Sequence, residues 1–214
     1  MENKEFISKV FLWLFVGLLV SFGTAYYTYC HPNMLYNIFS TKLYLGLFIL
    51  ELVLVIFLSA RIHKMSYQTA ILTYGLYALV NGLTLSVIFL AYQMTSIVSI
   101  FGISALIFLI FGAIGYYTKK DLSKIGTYLL MILVGIVLAT LVNMFLGNEL
   151  VDIIISSIGV IVFVLFIAYD MNKLKQKIPM EKEGNYAIIF AFNLYLDFIN
   201  LFVNLLRLFG NSKD

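Results

Sequence analysis

The stretch Tyr186–Phe209, YAIIFAFNLYLDFINLFVNLLRLF, constrains this chain more than any other. It exceeds the roughly 20 apolar residues that cross a bilayer, yet it carries Asn193, Asp197, Asn200, Asn204 and Arg207. Their spacings of 4, 3, 4 and 3 put them on one stripe of a helix. The other faces are Leu, Ile, Phe, Val, Ala and Tyr. A helix surrounded by lipid cannot keep such a row of polar side chains in hydrocarbon, so the stripe is expected to face other helices or internal water. The segment is read as the core of a membrane bundle, and the rest of the chain by what it brings to this stripe.

Of 214 residues, 62% are hydrophobic and 12% charged, against about 25% charged in an ordinary soluble domain. This is the composition of an all-α polytopic membrane protein. The length allows roughly six or seven spans and no separate soluble domain. The net charge of +3 fits a topology bias, and no basic patch is long enough for a nucleic-acid partner. The single Cys30 excludes an internal disulfide and any cysteine-built zinc or iron–sulfur site. The charged N-terminus followed by Phe11–Val20 imitates a signal peptide. The apolar run continues to about Tyr29 with no clear cleavage site, so it is read as a retained first span.

Seven spans are expected, at 6–29, 42–60, 68–93, 95–117, 125–146, 153–169 and 186–209, in a single domain covering 1–214. His31, Pro32 and Asn33 fall in the first loop. Span 3 carries Tyr77, Asn81 and Thr84 on one face, the loop Gly147–Asp152 is acidic, and span 6 stops at Asp170. With the N-terminus inside, the inner segments hold eleven basic residues: Lys4, Lys9, Arg61, Lys64, Lys119, Lys120, Lys124, Lys173, Lys175, Lys177 and Lys182. The outer loops hold Lys42 alone. The positive-inside rule then gives a multi-pass cell-membrane protein with a cytoplasmic N-terminus. Seven full spans place the tail 210–214 outside; a last helix that re-entered would leave it inside. No internal repeat of the kind found in many transporters is visible.

Glu51, Asp170, Asp197 and Arg207 lie in or at the ends of spans, and Arg61 ends span 2. A charge in the bilayer costs several kcal/mol unless paired or wetted, so each is a candidate. Bland readings exist. Arg207 fits snorkelling to headgroups, Arg61 a topology signal, Asp170 an interfacial charge, and Glu51 with Asp197 a structural buried pair. Glu51 and Arg61 are ten residues apart, as are Asp197 and Arg207, which is about 15 Å along a helix. Spans 2 and 7 run in opposite directions, so Arg61 can approach the level of Asp197, and Glu51 that of Arg207. Asp170 joins the inner rung. Two carboxylates close together in a low-dielectric site cannot easily both ionise; they share a proton and respond to pH. Arginine beside them favours the ionised form, so protonation weakens the Arg61 contact. Asp170 and Asp197 also offer hard oxygens to a cation such as calcium, as a weak site suited to a permeation pathway.

At these residues the chain resembles the transmembrane Bax inhibitor motif family, in its short bacterial members. The resemblance rests on Leu194–Gly210 (LYLDFINLFVNLLRLFG), on Tyr169-Asp170 after an apolar span, on Gly115–Leu122 (GYYTKKDL) and on Asn81–Leu85 (NGLTL). It implies seven helices with the last at the centre, wrapped by the other six. It implies a pH-sensitive calcium leak in a bacterial inner membrane, with Asp170 and Asp197 as the paired-aspartate sensor and Arg61 as the latch. Glu51 and Arg207 match charges lining the pathway. Many members follow the span 6 aspartate with Thr-Gln; here Met171-Asn172 stand there. The expected partners are the lipid bilayer, calcium ions and protons, with no cofactor and no enzymatic activity.

Other readings remain open. An intramembrane aspartyl protease also pairs two membrane aspartates, but Leu194-Tyr195-Leu196 precede Asp197 instead of Gly-x-Gly, and no proline follows Pro179. A retinal protein needs a lysine in its last span, and Tyr186–Phe209 has none. A proton-coupled cation exchanger uses the same carboxylates as a leak, and a non-conducting regulatory membrane protein would carry no flux at all.

Overall fold

The computed structural model describes residues 2–40, 43–175 and 183–213. Lys42, Lys177 and Lys182, counted above for topology, and Pro179 lie outside the described residues. The helices are α1 (Glu2–Tyr29), α2 (Pro32–Phe39), α3 (Leu43–Arg61), α4 (Tyr67–Ala91), α5 (Met94–Tyr117), α6 (Ser123–Leu146), α7 (Glu149–Lys173) and α8 (Glu183–Phe209). All but α2 are long and apolar enough to cross a membrane. The chain is an all-helical polytopic membrane protein.

Local chemistry sets the helix ends. Ser66 caps α4, its hydroxyl accepting from the Thr69 amide, and the Asn148 side chain accepts from the Leu150 and Val151 amides to start α7. Glu149 and Asp152 in that first turn favour the positive end of the helix. Gly147, at φ 61°, closes α6 in the left-handed conformation that only glycine adopts without strain. Two expectations are corrected here. Pro32 and Asn33 begin α2, because proline suits a first helical turn. The acidic pair counted as loop belongs to α7.

The helices form two compact units, one of residues Met1–Gln93, Lys177–Tyr195 and Ser212–Asp214, the other of Met94–Gln176 and Leu196–Asn211. In the first, Phe6 of α1 meets Phe190 of α8 edge-on, and Tyr74 and Tyr77 of α4 do the same with Phe192. In the second, Phe101 and Phe108 of α5 pack on Phe198, and Gly159 of α7 meets the Asn204 side chain. α8 thus gives residues to both units. In its most apolar window 72% of residues are buried, the largest share among the spans, against 6% in α3 and 11% in α6. The low shares belong to helices whose apolar sides are left to lipid.

α8 crosses the full depth that α4 crosses. At its start the Asn185 amide donates to the Met65 carbonyl, just before α4. Beyond its end Ser212 pairs with Tyr92, the Lys213 amide donates to the Ala91 carbonyl, and the Lys213 ammonium donates to the Phe89 carbonyl and the Tyr29 hydroxyl. The tail therefore lies at the ends of α1 and α4, at the opposite end of α4 from Met65, where α8 begins.

Glycines separate close helix crossings from open ones. A Cβ on Gly115 of α5 would lie 2.1 Å from the Ala168 carbonyl oxygen of α7, whereas one on Gly135 of α6 meets nothing within 4 Å. Gly115→Ala is expected to lower stability by about 1–3 kcal/mol through overpacking. Gly135→Ala is expected to be neutral or to stabilise by up to about 1 kcal/mol. Thermal unfolding in detergent checks both.

Candidate functional site

The second unit holds the carboxyl pair. Asp170 is not at the end of its helix, as expected from sequence. α7 continues to Lys173, because Met171, Asn172 and Lys173 propagate a helix as well as the residues before them. The extra turn places Asp170 inside the helix, 5% exposed, and Asp197 of α8 is equally buried. The two carboxyl groups stand within hydrogen-bonding reach of each other. Asp197 Oδ2 is buried with no N–H or hydroxyl donor facing it. Ionised carboxylates only accept hydrogen bonds, so a hydrogen bond between the two requires that one oxygen carry a proton. Lys173, three residues beyond Asp170 on the same helix, acts on it electrostatically, and its ammonium lies 4.3 Å from the centre of the Tyr169 ring. Sequence reading had counted Lys173 only as a topology signal.

Asn172 fixes this turn of α7. Its amide group donates to the carbonyls of Gly115 (3.0 Å), Thr118 (3.3 Å) and Lys120 (3.3 Å), and its oxygen accepts from the Leu122 amide at 3.5 Å. Lys175 adds a bond to the Thr118 carbonyl at 2.5 Å. The end of α5 leaves carbonyls without helical partners, and Asn172 and Lys175 satisfy them. Asn172, the second of the two residues standing where the resemblance implies Thr-Gln, is thus a clamp between α7 and the loop after α5.

The first unit holds Glu51. Its Oε1 accepts from the Asn81 amide and, at 3.3 Å, from the Tyr77 hydroxyl; its Oε2 accepts from Thr84 at 2.8 Å. The network continues from Asn81 Oδ1 to the Tyr195 hydroxyl (2.6 Å), from there to the Ser21 hydroxyl (2.5 Å), and on to the Ala78 carbonyl (2.8 Å). Two hydroxyl hydrogens serve these last three contacts, so one contact lacks a hydrogen in any fixed arrangement. The shared face of Tyr77, Asn81 and Thr84 was visible in the sequence, but its service to Glu51 was not. Ser21 and Tyr195 were missed altogether, since one serine or tyrosine in an apolar helix carries no pattern.

Arg61 is exposed in the last turn of α3 and belongs to the first unit, whereas both aspartates belong to the second. Arg207 is exposed in the last turn of α8. Asn200 and Asn204 of the α8 stripe bond to their own helix. Asn200 donates to the Leu196 carbonyl and Asn204 to the Asn200 carbonyl, each four residues back in α8 itself. An amide that turns onto its own helix needs no partner helix. Among the described residues, no group of three or more His, Cys, Asp or Glu is gathered as a metal site.

The sequence pattern of the family described as "Inhibitor of apoptosis-promoting Bax1" matches residues 3–214. The chain is 43% identical to an Escherichia coli protein named "Inner membrane protein YbhL", over 98% of this chain and 93% of that one. It is 38% identical to an uncharacterized protein of Borreliella burgdorferi, over 99% and 94% of the two chains. An uncharacterized Deinococcus radiodurans protein is 35% identical over 100% and 93%.

The Glu51 network makes a graded prediction. Glu51→Leu takes the acceptor from the Asn81 amide and the Tyr77 hydroxyl of α4, while the Thr84 hydroxyl keeps the Asn81 carbonyl, and should cost about 1–3 kcal/mol. Glu51→Gln keeps an acceptor of the same size and should cost less. Equal melting temperatures for the two variants would show that the donors do not depend on Glu51.

Proposed function

Because the chain belongs to the Bax inhibitor family of membrane proteins, we propose that it is a pH-sensitive calcium leak of the bacterial inner membrane, gated by a proton shared between Asp170 and Asp197. The observation that carries this reading is the buried contact between the two carboxyl groups. With one proton the pair bears a single negative charge. Without it, two anions face each other in a buried site, and their repulsion must be relieved by separation, by water or by a cation. Proton loss and helix movement are thereby coupled. Calcium takes six to eight oxygen ligands at a stable site, and two carboxyls supply too few to hold it. They suit an ion in passage.

Arg61 acts in this reading as the latch, favouring the ionised pair and releasing it on protonation. Glu51 and Arg207 are the pathway charges, and the positive-inside bias puts the N-terminus in the cytoplasm. The reading is of a conductor without cofactor or catalytic residue. An exchanger would use the same carboxylates but couple calcium flux stoichiometrically to proton counterflow, and a regulatory protein would carry no flux.

The test is calcium entry into proteoliposomes over a range of pH. Asp170→Asn and Asp197→Asn are each expected to flatten the pH dependence, since neither leaves two titratable carboxyls. Flux with an unaltered profile in both would remove the sensor. Arg61→Ala is expected to raise flux by freeing the carboxyls from their latch, and a tighter closure would contradict that role.

A further inference from the structure

α6 and α7 of the second unit enclose an open groove of about 470 Å³ with almost entirely apolar walls, a volume within the roughly 300–1,000 Å³ of ligand sites. Gly135 and Ala139 on α6, and Val151, Ile155 and Ile158 on α7, line it. Gly82, Gly115, Gly126 and Gly159 each lie where a Cβ would collide with a neighbour, which explains their lack of a side chain. Gly135 sits within α6 with nothing near its missing Cβ. Glycine inside a helix costs up to about 1 kcal/mol relative to alanine, and no crossing helix requires it here. Gly23, Gly46, Gly75 and Gly102 are open in the same way, and at Gly135 the open space is part of the groove.

The groove begins at one end of the two helices, and that end is acidic. Val151 lies two residues after Glu149 in the first turn of α7, and Ile158 lies about 10 Å deeper. Asn143, one turn beyond Ala139, donates to Asp152 Oδ1 at 2.8 Å and so holds that carboxylate above the groove. Glu149 is exposed beside it. No lysine or arginine lies between Lys124 and Lys173, so the carboxylates at this end have no cation from α6, α7 or the turn joining them.

We propose that this groove seats one acyl chain of a phospholipid whose ammonium headgroup lies against Glu149 and Asp152. The groove supplies the apolar contact, and the carboxylates select the headgroup: an ammonium is attracted, and a lipid with only a phosphate charge is repelled. The site thus favours phosphatidylethanolamine over phosphatidylglycerol. It is independent of the carboxyl pair and of the calcium reading.

Native mass spectrometry of the detergent-solubilised protein, offered equal amounts of dioleoyl phosphatidylethanolamine and dioleoyl phosphatidylglycerol, tests this. Wild type is expected to retain one phosphatidylethanolamine in preference. Gly135→Leu, which fills the groove from a position with free space, is expected to weaken that retention about tenfold, the effect of losing a few methylene contacts. Ala139→Leu fills it from the next turn and repeats the test should the first variant fold poorly. Glu149→Gln with Asp152→Asn is expected to abolish the headgroup preference while lipid is still retained. Equal retention by wild type and a folded filled variant would overturn the proposal, as would a preference for phosphatidylglycerol. So would a change from dimer to monomer in Gly135→Leu with lipid retention unaltered, because the groove would then seat a second copy of this chain.

Discussion

Two carboxyl groups in contact within a membrane-spanning unit cannot both be anions without a compensating charge, and the structure around Asp170 and Asp197 is built on that constraint. The pair needs a proton, a cation or water. α8 brings Asp197 into a buried stretch, and the last turn of α7 brings Asp170 to it. Asn172 then fastens that turn to the end of α5 through carbonyls that lack helical partners. A break in this clamp would free the turn carrying Asp170 and weaken its contact with Asp197. In the proposed reading, packing and titration are thus linked by a single turn of helix.

Glu51 meets the same constraint in another way. It lies in an apolar helix, and neutral donors on α4 surround its carboxylate: an amide, a phenol and an alcohol. Hydrogen bonds to a charged acceptor are among the stronger ones, so this carboxylate is accommodated without a second carboxyl beside it. The unit with Glu51 satisfies its acid with donors, and the unit with Asp170 and Asp197 leaves one aspartate oxygen without any. That difference favours the aspartates over Glu51 for the proposed proton-sensing role.

Much of this was legible in the chain because hydrophobic length and polar spacing are local signals. The seven crossings, the burial of α8 and the candidacy of Asp170 and Asp197 all follow from runs of apolar residues and interruptions at helical spacing. The short helix after Pro32 was not legible, since it is brief and lacks a side-chain cap. The extra turn beyond Asp170 was hidden because lysines and an asparagine read as loop when charge is counted and propensity is not. The spacing of Asn200 and Asn204 gave their face on α8 but not their bonds: spacing fixes where a side chain emerges, not whether its amide turns outward or back onto its own carbonyls. Gly135 could not be told from Gly115 at all, because only the three-dimensional neighbours distinguish a glycine that admits a helix from one that keeps space open.

The central claim is that Asp170 and Asp197 hold one proton between them and that its loss changes the state of the protein. Infrared difference spectroscopy across a pH titration measures this directly, through the carbonyl stretch that a protonated carboxyl shows and a carboxylate lacks. The account predicts such a band in the wild type, disappearing over the same pH interval in which calcium flux changes and altered by Asp197→Asn. A titration that changes flux while no buried carboxyl gains or loses a proton would contradict it.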